Sequence, residues 1–237
     1  MRGVRTIVAL PSKPMKIYEL FKQYGVQMEA EKDAIIFREG EQANTLFLVE
    51  SGIIQICKNA ESGKEITLSL LGPESLVGES KLYCDELHHS STAKVLQPAV
   101  LLCLHIATFE SLLKEHSGAL VDYLKWIQNE NLKNQSRLRD LLMHGKKGAL
   151  YSTLIRLSNT YGEVCHDGSI LIQFPLTNTE MANLCATSRE VVNRMLNDLK
   201  KNRIITFDKG YITILDLAYL KRCIACDNCP LEICRID

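Results

Sequence analysis

Cys223, Cys226, Cys229 and Cys234 put four thiols in twelve residues, separated by two, two and four residues. Thiolates so spaced can close round one soft metal centre, because tight turns bring their sulfurs to a common point. Pro230, directly after a cysteine, favours such a turn. Runs of this kind hold iron–sulfur clusters. A Cys₄ zinc site is the structural alternative, but zinc sites usually pair two C-x₂-C knuckles across a longer gap, so the spacing favours iron–sulfur. The chain holds nine cysteines. With no secretion signal, they imply a reducing cytosol, where close-spaced thiols are metal ligands more often than disulfides.

A second cluster of chemistry lies between Leu176 and Leu199, which reads as two helices joined by a tight turn. Thr177 and Glu180 have capping-box spacing, and Thr187 and Glu190 repeat it, so two helix starts are signalled independently. Cys185 and Ala186 fall in the break. In the second helix Val192, Met195, Leu196 and Leu199 form one apolar face. The opposite face carries Arg189, Asn193, Arg194 and Asn197. A helix-turn-helix lays such a face in the DNA major groove, where Arg bonds guanine O6 and N7 together and Glu accepts from cytosine N4. The plain alternative is a surface hairpin whose charges are only solvated, and Glu190 can equally be spent on its own helix terminus.

These groups need a scaffold, and composition sets its scale. The chain has 237 residues, 46% of them hydrophobic and 24% charged, enough for two modest domains with their own cores. The apolar run Ile7 to Leu10 is too short for a signal-peptide core, and no stretch reaches transmembrane length, which predicts a cytoplasmic protein with no membrane partner. The net charge of zero hides an asymmetry. Residues 1–144 carry 16 Lys+Arg against 18 Asp+Glu, and residues 145–222 carry 11 against 7. The basic excess sits with the predicted helix-turn-helix, as phosphate contact requires.

Hydrophobic periodicity predicts a helix over 15–26 and then short strands at Ala34 to Phe37, Thr45 to Val49, Ile53 to Cys57, Glu65 to Leu70, Thr92 to Leu96 and Val100 to Leu104. Gly40, Ser51-Gly52 and Ser62-Gly63 punctuate them, so the first hundred residues read as an all-β barrel or roll. A short helix over 108–116 precedes a long one from Ala119 to about Met143. Val121, Leu124, Ile127, Leu138, Leu141 and Leu142 make that helix apolar at both ends, while Gln128 to Gln135 makes it polar in the middle. Such a stripe suits a coiled-coil seam whose buried amides fix register at a cost in stability. Gly145 to Gly148 reads as a hinge, followed by a helix to Tyr161, a strand at Ile170 to Phe174, and a hairpin of Ile204 to Phe207 with Tyr211 to Ile214. The last is the wing of a winged helix.

Thr187-Ser188-Arg189-Glu190 followed by Arg194 resembles the recognition helix of the CRP/FNR family of bacterial transcription regulators. The phrases Thr45 to Gly52 and Gly72-Pro73 leading to Gly78-Glu79 resemble that family's cyclic-nucleotide-binding roll, over about residues 28–105. The resemblance implies an α+β fold, with a roll-bearing domain over 1–118, a dimerisation helix over 119–144, a winged helix-turn-helix over 145–219 and a cysteine-rich cluster-binding segment over 220–237. It implies a homodimer acting with RNA polymerase on double-stranded DNA, as an activator at TGTGA-like palindromes. Arg189, Glu190 and Arg194 match the base contacts, and Thr177, Ser188 and Asn193 stand beside them on the predicted interface.

The family's roll holds a cyclic phosphate with an Arg eleven residues after the Gly of its Gly-Glu pair. Here that position is His89, and Glu74 stands where a turn Gly is usual. A neutral imidazole cannot replace a permanent forked cation, so no cyclic AMP binding is expected. Cysteines near the N-terminus, as in enteric FNR proteins, are absent. The spacing of Cys226, Cys229 and Cys234 instead resembles the Bacillus-type branch, which implies a [4Fe-4S] cluster completed by an aspartate at the end of the dimer helix. Asp140 matches that aspartate, with Cys223 as the alternative fourth ligand. No enzyme signature is present. The alternatives are a zinc-stabilised regulator sensing a small ligand in the roll, and a redox electron carrier.

Overall fold

A computed structural model of the chain describes residues 15–59, 64–79 and 87–237. The expected Ser62-Gly63 turn and the start of the first predicted domain lie outside them. The chain opens with helix α1 (Met15–Tyr24), which seats Ile17, Leu20 and Phe21 in the core and ends at Gly25. Strands β1 (Val26–Ala30), β2 (Ile35–Phe37), β3 (Thr45–Asn59), β4 (Glu65–Leu71), β5 (Leu76–Val77) and β6 (Thr92–His105) follow. They form a sheet of order β1-β6-β3-β4, with β2 on β6 and β5 on β3. This is the expected roll, filled by Phe37, Phe47, Val49, Ile54, Val95 and Leu101.

Two differences have one cause. The breaks expected at Ser51-Gly52 and near Pro98 are instead bulges inside β3 and β6, whose register shifts between Val49 and Ile54. Gly52 has φ +85°, and a Cβ there would come within 2.3 Å of the Pro98 carbonyl oxygen. The irregular residues face each other, so both strands absorb the extra length without turning. The stretch around Val26 is strand, not helix, because it pairs with Ala99 to Cys103 of β6.

Helix α2 (Ile106–Glu115) leads into α3 (Ser117–Tyr161), which is broken only at Gly145, with φ 57° and ψ −149°. Glycine reaches that conformation without steric cost, so the hinge falls where the sequence places it. The exposed side of α3 is a continuous stripe: Val121, Leu124, Gln128, Asn131, Gln135, Leu138 and Leu142 recur at alternating spacings of three and four, and all are exposed. That is a seam of coiled-coil period with a polar centre. Beyond Gly145, Leu150, Leu154, Ile155 and Leu157 are buried in the core of the second domain.

That domain adds β7 (Gly162–Val164), β8 (Ile170–Ile172), α4 (Asn178–Leu184), α5 (Arg189–Lys201), β9 (Ile205–Asp208), β10 (Tyr211–Ile214) and α6 (Leu217–Cys223). Its sheet runs β7-β8-β10-β9, and the β9–β10 hairpin is the wing. The short strand β7 and helix α6 are additions to the sequence reading. The latter carries Cys223 as its last residue, upstream of the loop that holds the other three cysteines. Among the described residues no helix is long and apolar enough to cross a membrane.

Candidate nucleic-acid interface and cysteine site

The first helix of the pair starts as its residues dictate. Thr177 is the N-cap of α4, its hydroxyl accepting from the Glu180 amide at 3.1 Å while Glu180 accepts from the Thr177 amide at 2.6 Å. The second start differs from the expectation. Ser188, not Thr187, caps α5, its hydroxyl accepting from the Val191 amide at 3.4 Å. Thr187 is buried, its hydroxyl without a partner, because its backbone is still bonded to Ala182 as part of the turn.

Between the helices Ala186 takes the left-handed conformation at φ 49°, the place where glycine would cost nothing. Val192, Leu196 and Leu199 are buried, and Arg189, Asn193, Arg194 and Asn197 are exposed on the opposite face, as the 3.6-residue period requires. Glu190 is exposed at the second helical position. Its own amide and the Ser188 hydroxyl hold its carboxylate below the usual range, so in this state it serves its helix start. Asn193 is held by the side-chain amides of Asn178 at 3.0 Å and Asn197 at 3.4 Å. Thus Arg189 and Arg194 present exposed cationic ends, while Thr177, Ser188, Glu190 and Asn193 are hydrogen-bonded within the pair.

The roll touches this motif directly. Lys64 donates to the Ala186 carbonyl at 3.1 Å, and Asn183 donates to Glu65 at 2.9 Å. Within the roll, His89 is buried and stacked on Phe37, ring centres 3.6 Å apart. Burial lowers its pKa, so the imidazole is neutral near pH 7 and its Nδ1 has no partner. A cavity of about 180 Å³ nearby is lined by Phe37, Ser75, Gly78, Ser91, Trp126 and Glu130. Among the described residues the lining includes no Lys or Arg. Glu79 accepts from the Ser90 amide and hydroxyl at 2.7 and 2.8 Å.

In the cysteine segment, Ala225 and Asn228 have φ of 43° and 51°, turning the chain immediately before Cys226 and Cys229. The Pro230 carbonyl accepts from the Ile233 and Cys234 amides at 3.0 Å each, so the turn after Pro230 forms as its sequence suggests. Cys226, Cys229 and Cys234 share one neighbourhood. Burial pushes the Cys234 thiol up to about 11, Cys229 and Cys226 add to the shift, and Arg156 opposes it. Cys223 looks elsewhere, toward the Tyr219 hydroxyl, whose pKa it raises.

Asp140 is buried one turn before the Gly145 break, and its carboxylate is taken by two guanidiniums. Arg139 lies 2.8 Å from one oxygen and Arg156 lies 2.7 Å from the other. Arg139 also pairs with Asp227, inside the cysteine loop. As placed, no three His, Cys, Asp or Glu side chains among the described residues stand close enough to hold a metal ion. The donors nevertheless suit an anionic thiolate-bound group in kind. Cys226 and Cys229 lie near Cys234 without closing on a common point, and the buried Arg156, close enough to pull the Cys234 pKa down, keeps an Nε without a partner. Closing such a site requires Asp140 to exchange an arginine for the metal. Arg156 was missed by sequence reasoning, although a lone charge inside the apolar run Leu154-Ile155-Arg156-Leu157 was a visible signal.

Comparison with known proteins agrees with this architecture. Residues 27–116 match the cyclic nucleotide-binding domain and residues 148–223 the Crp-like helix-turn-helix domain. The chain is 44% identical over 222 residues to the "Anaerobic regulatory protein" of Bacillus subtilis, covering 93% of each chain. It is 28% identical to a "Global nitrogen regulator" of Nostoc, over 78% of this chain and 82% of that one. In fold it resembles the c-di-GMP-responsive regulator CLP of Xanthomonas campestris, with TM-score 0.74, 18% identity and coverage of 85% and 99%. It also resembles FixK2 of Bradyrhizobium japonicum, with TM-score 0.71, 16% identity and coverage of 84% and 96%. Roll, seam, winged helix and these relatives together place the chain in the CRP/FNR family of DNA-binding transcription regulators, a family of regulators and not of enzymes.

Proposed function

We propose that this regulator is oxygen-responsive and binds TGTGA-like palindromes as a homodimer, with a [4Fe-4S] cluster held by Cys226, Cys229, Cys234 and Asp140. The observation that carries the reading is the shared neighbourhood of Cys226, Cys229 and Cys234 beside Arg156, which also pairs with the buried Asp140, with Cys223 turned to Tyr219. The 44% identity to an anaerobic regulatory protein supports the oxygen response. When bound, the cluster supplies an oxygen-labile centre. The chain's own residues do the rest: Arg139 and Arg156 offset negative charge, and the turns at Ala225 and Asn228 aim the thiols. Asp140 ties the site to the dimer helix, five residues before the Gly145 hinge.

Two recognition helices, one per subunit, require half-sites about one helical turn apart, with Arg189 and Arg194 reading guanine. Loss of the Asp140 ligand frees the hinge and the helices lose their spacing. The neutral His89, stacked on Phe37 where the family's arginine would stand, supports a roll that does not take cyclic AMP. The roll then serves as scaffold and as a surface for RNA polymerase in the cytoplasm. The test is iron and acid-labile sulfide in anaerobically purified protein. About four of each per subunit, lost in Cys226→Ser, is expected. Zinc without sulfide would replace this reading with a structural zinc site.

A further inference from the structure

The last residues of the sequence do more than carry a cysteine. Ile236 and Asp237 are buried, and the backbone from Cys234 to Asp237 bonds to three separate parts of the molecule. From the dimer helix, Lys133 donates to the Asp237 carbonyl at 2.7 Å. Arg137 donates through one nitrogen to the Arg235 and Ile236 carbonyls at 3.2 and 2.8 Å. From the roll, the Leu70 amide donates to the Ile236 carbonyl at 3.3 Å. From the first helix of the DNA-binding domain, Asn159 donates to the Cys234 carbonyl at 2.8 Å, and the Ile236 amide donates to Thr160 at 3.0 Å.

Arg137 closes the knot by giving its other terminal nitrogen to the Leu68 carbonyl of β4 at 2.8 Å. Arg235 clasps the Asp237 carboxylate at 2.7 and 2.8 Å, stiffening the segment from within.

We infer that Cys234–Asp237 is a strap that transmits the state of the cysteine site to the joint between roll and DNA-binding domain, with Arg137 as its positioning residue. The input rests on the proposed cluster; the strap itself rests on the contacts above. Its stiffness follows from chain geometry. Two residues of extended backbone span at most about 7 Å, so Cys234 cannot shift far without dragging Ile236 off Leu70 and Thr160. What the strap holds is the joint that also contains Tyr161, whose hydroxyl donates to the Leu70 carbonyl at 2.9 Å, and the Lys64 and Asn183 contacts with the helix-turn-helix. The carbonyls of Cys234 to Asp237 take donors from Asn159, Arg137 and Lys133 within one short stretch, so the segment releases as a unit.

The experiment is amide hydrogen exchange on full-length anaerobic protein, with DNA affinity and iron content measured on the same samples. Arg137→Ala should speed exchange at Leu68 to Leu71 and around Thr160 about tenfold. It should weaken palindrome binding by a similar factor while iron content and protection of Val49 to Ile54 stay at wild-type values. Asn159→Ala should loosen the same amides less, and Arg137→Lys should restore them in part. Cys229→Ser should reproduce the Arg137→Ala exchange pattern. Unchanged exchange and affinity in Arg137→Ala would overturn the strap, and unchanged exchange in Cys229→Ser would overturn its coupling to the cysteines. Absence of iron from the wild type refutes the cluster and leaves the Arg137→Ala result readable.

Discussion

Arg156 sets a guanidinium nitrogen 2.7 Å from Asp140 Oδ2, with both side chains buried. The residue proposed as an iron ligand is thus already a counterion, and a metal bound there would have to outcompete a desolvated ion pair for it. Removing one member of such a pair leaves the other charge uncompensated. Asp140→Ala should therefore cost about 3–5 kcal/mol in cluster-free protein, by urea denaturation at fixed protein concentration. A loss under about 1 kcal/mol would show that the pair is solvated. Double replacement of Asp140 and Arg156 by apolar residues should recover most of the loss.

Arg189→Ala should weaken binding to the palindrome by about 1–3 kcal/mol and relax the preference for guanine at one position per half-site. Competition with scrambled DNA checks it. An equal loss on both sequences would make Arg189 a phosphate contact.

Ala186→Gly should stabilise the protein by about 0.5–1 kcal/mol, since it relieves a left-handed alanine and returns part of that gain as unfolded-chain entropy. Thermal unfolding of the purified protein decides it. Destabilisation would mean that the turn at φ 49° is not the one populated in solution.

His89 gives a pH dependence of known sign. Its folded pKa lies below the ordinary 6.5, so the unfolded chain takes up the proton first as pH falls. Stability should be flat above about pH 6.5 and decline below it, with His89→Gln losing that component. Calorimetry on the same protein should find no saturable cyclic AMP binding, and micromolar binding would contradict the reading of this neutral, stacked ring.

How far the sequence reached depended on whether the signal was local. Thr177 and Glu180, the period of Val192 to Leu199, and Gly145 act within a few residues, and the capping box, the apolar face and the hinge all form as expected. Ser188 displaced Thr187 as cap because burial of Thr187 was decided by the packing of the turn against Ala182. The bulges at Gly52 and opposite Pro98 depend on two strands meeting irregularity to irregularity, which neither segment announces alone. The same holds for the cysteine site. Spacing marks Cys226, Cys229 and Cys234, but the contacts of Asp140 with Arg156, and of Arg137 with Ile236, join segments 16 and 99 residues apart. Among these, only the lone Arg156 in its apolar run left a local trace.

If the cysteine site governs DNA binding, affinity must follow its iron content. Affinity for a TGTGA-like palindrome is measured on one anaerobic sample before and after air exposure, with iron and acid-labile sulfide assayed at each point. The account predicts that affinity falls about tenfold or more in step with loss of iron and sulfide, and that Cys226→Ser starts at the air-exposed value. Affinity that stays constant while iron is lost would contradict it.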